Sequence, residues 1–540
     1  MALSDSLLDV DNLSIGTESG SSLATDLCFS VARREIVALV GESGSGKTLT
    51  SLALMGLLPS GVHQTGGEIR FEGQTIARPG SPFASHLRGQ RMATIFQEPM
   101  TSMNPVLKVG EQIAEVLVRH QKLSWKQAQS EAVALLDRVG IVNPALRARQ
   151  YIHQLSGGMR QRVMIASAIS CKPSLLIADE PTTALDATIQ TQILALLQTL
   201  QREMAMGILL ITHDLSVVAR YADRACVMYR GRIVEQGEVP TLLTQPQNDY
   251  TRKLIAASQP QPRATRAPDG QAAPLVSIEC LTKSYPQKNR LPFFPAQRHT
   301  VLFPTSMNIG RAEIVGLIGE SGSGKTTLGR AAIGLIPVDS GKITFDGDEV
   351  SSQGRQRLLR RRAQIIFQDP YASLNPKMTI GEQIAEPVRV YKLRPADQIQ
   401  ARVDALLALV GLEPHHARRL PAAFSGGQRQ RIAIARALAL EPDLLVADEA
   451  VSALDLSVRG QILALLDRLR EQLGLSVLFI SHDLSAVRQL CDRVVVLYRG
   501  KIVESGVTEQ ILNAPRHAYT RQLLDAAPDI GRALRLRQAS

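Results

Sequence analysis

The octapeptide that starts at Gly41 is repeated, residue for residue, from Gly319. The two copies are Gly41-Glu42-Ser43-Gly44-Ser45-Gly46-Lys47-Thr48 and Gly319-Glu320-Ser321-Gly322-Ser323-Gly324-Lys325-Thr326. Each copy follows a short apolar run, at 35–40 and 313–318, that predicts a buried strand. A strand, a glycine-rich loop and a helix in this order are typical of a phosphate-binding loop. A single match is compatible with a chance glycine-rich turn, but two identical copies are not.

The glycines of such a loop let successive backbone N–H groups point at phosphate oxygens, and the following helix adds the positive end of its dipole. Lys47 and Lys325 are placed to reach the β and γ phosphates of a nucleotide. Thr48 and Thr326 are placed to bind Mg²⁺. The sequence therefore predicts two nucleoside triphosphate sites.

Composition and charge narrow the class of protein. The 540 residues exceed one ordinary domain, and 44% hydrophobic with 21% charged residues is typical of a globular protein. No apolar run approaches the roughly 18 residues of a membrane span, and the N-terminus lacks a signal-peptide pattern, so we expect the chain to stay in the cytosol. The net charge of +11 favours solvated basic faces or contacts near a membrane over nucleic acid. The five cysteines lack C-x-x-C spacing, so neither a zinc site nor a disulfide framework is indicated.

The similarity between the halves extends far beyond the octapeptide, so the chain is an internal repeat. Each half has a first strand, a glycine-bounded hairpin and a polar helical region. This order predicts two domains, at 1–258 and 275–540, each with a helical subdomain between parts of an α/β core. The proline-rich segment 259–274 is interpreted as a linker. An insertion at 287–298 is either an exposed contact loop or local packing.

Two further motifs recur in each half. A serine and two glycines precede a strong helix pattern, at Ser156-Gly157-Gly158 and Ser425-Gly426-Gly427. A hydroxyl and unpaired N–H groups at a helix N-terminus form a second anion site. An apolar strand then ends in two acids, Asp179-Glu180 and Asp448-Glu449. The first acid is placed to hold Mg²⁺ through water, and the second to polarise an attacking water.

In the order and spacing of these motifs the whole chain resembles the ATP-binding-cassette (ABC) ATPases, with the serine and glycines in the place of their signature sequence. The resemblance implies an α/β fold of two tandem P-loop ABC ATPase domains. Each would have a RecA-like α/β core, an antiparallel β subdomain and an α-helical subdomain. His213 and His482, after another apolar strand, look like the switch histidines that contact the γ-phosphate. Gln97 and Gln368 look like the residues that join Mg²⁺ coordination to the helical subdomain.

The family architecture also implies that the halves pair head to tail, so that each phosphate loop is completed by the signature of the other half. ATP would close the halves, and hydrolysis would release them. Because Glu180 and Glu449 are both present, both sites are expected to hydrolyse ATP. Tyr285 fits the aromatic residue on which this family stacks adenine, whereas the first half has Thr17 there. Met159 replaces the usual signature glutamine of the first half.

Three kinds of ABC protein fit two fused ATPase domains: an importer subunit, a ribosome-associated factor, and a DNA-repair or chromosome-structure ATPase. The short linker, the absence of zinc cysteines and the absence of long coiled coils disfavour the second and third kinds. The tail P-x-x-x-Y-T-R-x-L, at 246–254 and 515–523, resembles the oligopeptide and dipeptide importer ATPases. Among fused members, the chain length and short linker favour the Yej-type peptide and microcin C importer over the glutathione importer.

This resemblance implies ATP and Mg²⁺ as cofactors and two transmembrane permease subunits as partners. Through the permeases it implies an extracytoplasmic substrate-binding protein. The chain would lie at the cytoplasmic face of the inner membrane, in peripheral contact with it and without nucleic acid. Related ATPases often carry a C-terminal cysteine cluster that neither tail has, so we predict no iron–sulfur centre. A peptide or peptide-like substrate is implied by the resemblance alone.

Overall fold

The chain folds into two compact units. Unit 1 comprises Met1–Gln259 together with Pro528–Ser540, and unit 2 comprises Pro260–Ala527. The computed structural model describes residues 6–182, 185–258, 273–286, 298–350, 359–452, 454, 456–527 and 529–538. Except for 273–274 and Arg298, the predicted linker and the predicted insertion lie outside the described residues.

Unit 1 alternates strands and helices after an initial hairpin. Its strands are β1 (Ser6–Thr17), β2 (Ser22–Ala32), β3 (Ile36–Val40), β4 (Val62–Phe71), β5 (Gln74–Ala77), β6 (Met92–Ile95), β7 (Leu175–Asp179), β8 (Gly207–Thr212), β9 (Arg224–Tyr229) and β10 (Arg232–Glu238). Its helices before the linker are α1 (Lys47–Leu54), α2 (Pro99–Ser102), α3 (Val109–Gln121), α4 (Trp125–Arg138), α5 (Pro144–Arg147), α6 (Gly157–Ile169), α7 (Ala187–Met204), α8 (Leu215–Tyr221), α9 (Val239–Thr244) and α10 (Asp249–Ser258).

Unit 2 repeats this order. Its strands are β11 (Val276–Pro286), β12 (Arg298–Ile309), β13 (Ile314–Ile318), β14 (Ser340–Phe345), β15 (Asp348–Glu349), β16 (Ala363–Ile366), β17 (Leu444–Asp448), β18 (Ser476–Ile480), β19 (Arg493–Tyr498) and β20 (Lys501–Val507). Its helices are α11 (Lys325–Ala332), α12 (Pro370–Ser373), α13 (Ile380–Val390), α14 (Ile399–Leu409), α15 (Gly426–Leu438), α16 (Leu456–Leu473), α17 (Leu484–Leu490), α18 (Thr508–Asn513) and α19 (Ala518–Ala526). The chain then ends with α20 (Ile530–Gln538).

Each unit contains two sheets with the same strand order. The antiparallel sheets are β2-β1-β4-β5 in unit 1 and β12-β11-β14-β15 in unit 2. The larger sheets are β10-β9-β3-β8-β7-β6 and β20-β19-β13-β18-β17-β16. All neighbours in the larger sheets are parallel except the edge pairs β10/β9 and β20/β19. This architecture confirms the predicted α/β fold with an antiparallel subdomain.

Both faces of the larger sheet are buried, which explains why its strands are continuously apolar. In β18, Val477 and Phe479 join the core formed with the helices, whereas Leu478 and Ile480 join the core formed with the antiparallel sheet. Successive side chains of a strand point to opposite faces, so one apolar run supplies both cores.

The polar region between the motifs is helical, as predicted. In unit 1, α3, α4 and α6 pack against one another, and α13, α14 and α15 do so in unit 2. The start of α13 is capped: Thr379 precedes it, the Thr379 hydroxyl accepts the N–H of Glu382, and the Glu382 carboxylate accepts the N–H of Thr379 at 2.8 Å. In the described residues, no helix is both long enough and apolar enough to cross a membrane.

The observed division differs from the predicted one at the C-terminus. The predicted second domain ran to residue 540, but Pro528–Ser540 belongs to unit 1 because α20 packs against α8. This docking depends on contacts with residues about 300 positions away in the sequence, and no pattern within the segment signals it.

Candidate active site

Four adjacent parallel strands carry the chemical motifs in each unit. In unit 1 the order β3-β8-β7-β6 leads in turn to Gly41, His213, Glu180 and Gln97. In unit 2 the order β13-β18-β17-β16 leads to Gly319, His482, Glu449 and Gln368. Parallel strands end at the same edge of a sheet, so residues that are far apart in the sequence meet there.

The phosphate loops are closed around their lysines. Lys47 is 6% exposed, and its Nζ donates to the carbonyl oxygens of Gly41 and Glu42 at 2.7 and 2.8 Å. Lys325 makes the same two bonds in unit 2, at 2.8 Å each. A Cβ on Gly41 would lie 2.3 Å from the carbonyl oxygen of Met228, so only glycine fits here. The loop thus brings a buried ammonium and backbone N–H groups to one small cradle, as a phosphate requires.

A glutamate carboxylate is held between an amide and an imidazole in unit 1. Glu180 Oε2 accepts a hydrogen bond from Gln97 Nε2 at 3.1 Å. Glu180 Oε1 lies 3.1 Å from His213 Nδ1, and the Glu180 side chain is 15% exposed. The predicted catalytic acid, switch histidine and glutamine are therefore direct neighbours.

The same three groups meet in unit 2. Gln368 Nε2 donates to Glu449 Oε2 at 2.7 Å, and His482 Nδ1 lies 3.5 Å from Glu449 Oε1. Burial alone would raise the pKa of Glu449, but His482 and Lys325 outweigh this effect and hold that pKa below its usual range. Glu449 is therefore ionised at neutral pH, which suits its predicted role of polarising an attacking water.

Both glutamates have a left-handed backbone. The φ angles are 45° at Glu180 and 50° at Glu449, which for a residue other than glycine costs about 1–2 kcal/mol. Their N–H groups donate to the carbonyl oxygens of Ile211 and Ile480 at 2.9 Å each. The neighbouring strand thus holds the turn that directs each carboxylate towards its histidine. Sequence reasoning missed this feature because no residue type at these positions signals a positive φ.

The first acid of each pair lies beside a hydroxyl group of the helix that follows the phosphate loop. Asp448 Oδ1 accepts from Thr326 Oγ1 at 2.9 Å, and Asp179 Oδ2 accepts from Ser51 Oγ at 3.1 Å. Burial raises the pKa of Asp179 and of Asp448, and these hydroxyl bonds oppose the rise. Ser51 was not among the predicted site residues.

The site residues fit Mg²⁺ by their donor set. Asp179 Oδ1 is buried and has no hydrogen-bond partner in the described residues, so it presents an orphaned oxygen beside the loop. Within the same residues, no group of three or more His, Cys, Asp or Glu side chains could hold a metal alone. An ion bound by one carboxylate, one hydroxyl and substrate phosphates is the usual arrangement for Mg²⁺.

The signature serines begin exposed helix ends. Ser156 is the N-cap of α6 and accepts from the N–H of Met159, and Ser425 is the N-cap of α15 and accepts from the N–H of Gln428. Gln428 also accepts from the N–H of Ser425 at 3.1 Å, a reciprocal bond that the thioether of Met159 cannot make. The Ser425 cap is therefore more firmly held than the Ser156 cap.

The residues predicted to meet adenine differ as the sequence indicates. Tyr285 is 40% exposed at the end of β11, with Lys283 Nζ 5.2 Å from the centre of its ring. Thr17 instead hydrogen bonds to the Ser19 hydroxyl at 2.8 Å and accepts the N–H of Ser21. An aromatic platform is thus present at this place in unit 2 and absent in unit 1.

Comparison with known families identifies the architecture. The family described as "ABC transporter" matches residues 24–183 and 302–452. The chain belongs to this family. A second family, "Oligopeptide/dipeptide transporter, C-terminal region", matches residues 503–540.

The chain is similar over most of its length to ATP-binding proteins of an importer. The glutathione import ATP-binding protein GsiA of Escherichia coli K12 is 48% identical over 97% of this chain and 89% of its own length. GsiA of Shigella flexneri gives the same figures. The solved structure of CbiO1 from Clostridium perfringens, part of an ABC transporter complex, is 28% identical, with a TM-score of 0.40, and covers 45% of this chain and 91% of its own.

Family membership confirms several sequence predictions for this ABC ATPase. It binds and hydrolyses ATP, and it energises an importer of the oligopeptide and dipeptide group. Such an ATPase works with membrane permeases. Sequence reasoning favoured the Yej type and kept the glutathione type as the alternative, and it is the alternative that the similar proteins name.

The tail tyrosines of this ABC ATPase reach the phosphate loops, which sequence reasoning did not foresee. The Tyr519 hydroxyl accepts the N–H of Glu320 at 2.8 Å, and the Tyr250 hydroxyl accepts the N–H of Glu42 at 3.3 Å. The Tyr519 ring also stacks on Tyr498, with 4.0 Å between their centres. The repeated Y-T-R pattern indicated a family feature, but it did not predict which groups the tyrosine hydroxyls would contact. Each tail thus helps to position the loop of its own unit.

We expect Tyr519→Phe to weaken ATP binding at the second phosphate loop about 3- to 10-fold, because it removes the hydroxyl that holds the Glu320 N–H. Equilibrium ATP titration in a Lys47→Ala background reports on this loop alone. The matched variant Tyr250→Phe, titrated in a Lys325→Ala background, should have a smaller effect because its bond is longer. Unchanged affinity in Tyr519→Phe would contradict the positioning role.

We expect His482→Ala to move the acidic limb of the ATPase pH profile to higher pH. His482 lowers the pKa of Glu449, so its removal raises that pKa and the carboxylate becomes ionised only at higher pH. The measurement uses a Glu180→Gln background, in which the first site is silent. His415, an exposed histidine paired with Glu413, supplies the control variant His415→Ala. An acidic limb at the same pH in both variants would refute the coupling.

Proposed function

We propose that the chain holds two composite ATP sites, each made of the phosphate loop and glutamate of one half and the signature serine of the other. The single observation that carries this proposal is the Gln-Glu-His cluster, which is built in the same way in both units at the sheet edge that also carries the phosphate loop. The exposed N-caps Ser156 and Ser425 support it, since each opens a 13-residue helix whose positive end suits a γ-phosphate.

In this mechanism Lys47 and Lys325 hold the β and γ phosphates. Glu180 and Glu449 accept a hydrogen bond from the attacking water and orient it. His213 and His482 contact the carboxylates and keep them in place. The same histidines would contact the γ-phosphate of a bound nucleotide. Mg²⁺, held by Thr48 or Thr326 together with Asp179 or Asp448, would neutralise phosphate charge during transfer. Loss of the γ-phosphate removes the contacts that favour the closed state, so hydrolysis opens the halves.

The glutamines connect the site to the surface on which a permease would dock. Gln97 bonds to Glu180 and is followed directly by α2 and the helical subdomain. Large apolar side chains next to it are exposed, among them Met100 at 41% and Val106 at 74%. Exposed apolar patches beside a moving element are typical of docking sites. Phe367 and Tyr371 offer similar surface in unit 2.

We infer further that the importer carries peptides or peptide-like compounds delivered by an extracytoplasmic binding protein, and that the chain works at the cytoplasmic face of the membrane. The match to the oligopeptide and dipeptide family supports a peptide substrate. The name of the similar proteins supports glutathione, which is itself a tripeptide. Transport assays with reconstituted permeases, comparing glutathione with an unmodified oligopeptide, distinguish the two substrates.

We expect the double variant Glu180→Gln, Glu449→Gln to bind ATP but to hydrolyse it at least about 10²-fold more slowly, because the amides cannot polarise the attacking water. ATP should then remain bound through gel filtration. The single variants separate the two sites. Turnover at the wild-type rate in the double variant would refute the assigned roles.

We expect Val106→Asp to reduce recovery of the chain with its permease subunits about tenfold, because a charge replaces an exposed apolar contact. The measurement is co-purification from membranes, with ATP hydrolysis by the isolated chain as a check on folding. Val142 is 70% exposed elsewhere in the helical subdomain, so Val142→Asp is a matched control. Equal recovery of both variants would exclude this surface, and ribosome co-sedimentation without permeases would exclude the importer.

A further inference from the structure

The C-terminal helix α20 packs on unit 1, although the residues before it belong to unit 2. Its first turn is capped by Asp529, whose Oδ1 accepts the N–H of Arg532 at 2.6 Å. Ile530 and Ala533 are only 7% and 5% exposed. Unit 2 is therefore inserted into the sequence of unit 1, and the chain passes between the units at two points.

Arg537 makes the polar contacts of this helix. Its guanidinium donates to the carbonyl oxygen of Ala222 and, at 3.1 Å, to Oδ1 of Asp223. Both acceptors lie just after α8, which packs against α20. The other oxygen of Asp223 accepts the N–H of Ile36 at 2.9 Å. Arg537 thus supplies donors to a buried carbonyl and to a structural carboxylate.

In the second half, the corresponding acceptors at the end of α17 bond to donors of the same unit. The carbonyl oxygen of Cys491 accepts the hydroxyl of Thr508 at 2.7 Å. Asp492 accepts the N–H of Ile314 at 2.9 Å and lies 3.5 Å from Nη1 of Arg470, which is 3% exposed. The end of α17 therefore needs no donor from another segment.

The first half lacks both of these internal donors. Gln201 stands in α7 where Arg470 stands in the equally long α16. Val239 is the counterpart of Thr508. The N–H of Val239 donates to the carbonyl oxygen of Asp223 at 3.1 Å, and the N–H of Thr508 donates to that of Asp492 at 3.2 Å. A cavity of 310 Å³ borders Gln201 and Asp223. Because Gln201 and Val239 do not supply these donors, the carbonyl oxygen of Ala222 and the carboxylate of Asp223 can both accept from Arg537.

We propose that the end of α8, with Ala222 and Asp223, is a receptor for the chain's own C-terminal helix and that Arg537 is its recognition residue. The receptor is specific to the first half because Gln201 and Val239 stand there in place of the donors Arg470 and Thr508. Docking anchors the C-terminal helix on unit 1, although the residues before it belong to unit 2. This inference is independent of the ATP sites.

Hydrogen–deuterium exchange of the full-length chain, read by mass spectrometry without nucleotide, tests the receptor. Arg537→Ala should raise amide exchange in α20 and α8 about tenfold, because a charge-assisted bond to a buried acceptor is lost. Exchange in α17, the corresponding helix of unit 2, should not change. Arg535 is exposed on the same helix, so Arg535→Ala is the matched control and should behave as wild type.

A swap variant tests the specificity. Arg470 also contacts Asp467 and Glu471, at 3.1 and 3.2 Å, so the second-half arrangement needs these acids as well. It is transferred by the substitutions Gln198→Asp, Gln201→Arg, Arg202→Glu and Val239→Thr. We expect the swap to raise exchange in α20 as much as Arg537→Ala does, while α8 stays protected because its acceptors are then satisfied internally.

Three results would overturn the proposal. The first is unchanged α20 exchange in Arg537→Ala, which would show that the arginine does not hold the helix. The second is an equal effect of Arg535→Ala, which would show that the positive charge of the helix, and not the specific contacts of Arg537, holds α20. The third is full protection of α20 in a folded swap variant, judged by unchanged α17 exchange, which would show that the missing donors do not create the receptor.

Discussion

Parallel pairing of four buried strands is the constraint on which the sites of this ABC ATPase depend. In each larger sheet the strands that carry the phosphate loop, the switch histidine, the acidic pair and the glutamine are direct neighbours. Strands β3, β7 and β8 are buried along their whole length, so the exposed polar residues of the motifs follow the strands and lie beyond their ends. Because parallel strands run in one direction, those ends meet at one edge.

The geometry at that edge joins the proposed catalytic glutamates to the helical subdomains. Glu180 and Glu449 leave their strands through a left-handed residue that the adjacent strand holds by a hydrogen bond. Each carboxylate is then shared between a histidine and a glutamine, and each glutamine begins the path to a helical subdomain. A change at the γ-phosphate can therefore reach the surface proposed for the permease through few bonds.

Identical phosphate loops do not make identical halves. Tyr285 has an aromatic ring at the place where Thr17 has a hydroxyl. Gln428 accepts the N–H of Ser425 and so completes a capping box, which Met159 cannot do for Ser156. A further difference lies away from the phosphate loops, where Gln201 stands in place of Arg470, the arginine that pairs with Asp492 in the second half. The halves thus share their chemistry and differ in what supports it.

The sequence by itself determined the tandem fold and the order of the motifs, and it predicted the residues of the candidate site, because loops, caps and buried strands depend on neighbouring residues in the chain. It could not predict that Tyr519 would hold the loop at Glu320, or that residues from Pro528 onwards would join unit 1. Nor did it predict the positive φ of Glu180. Only the tertiary structure decided these features, because each depends on which distant segments the strand order and the packing bring together, and local patterns carry no record of the partner.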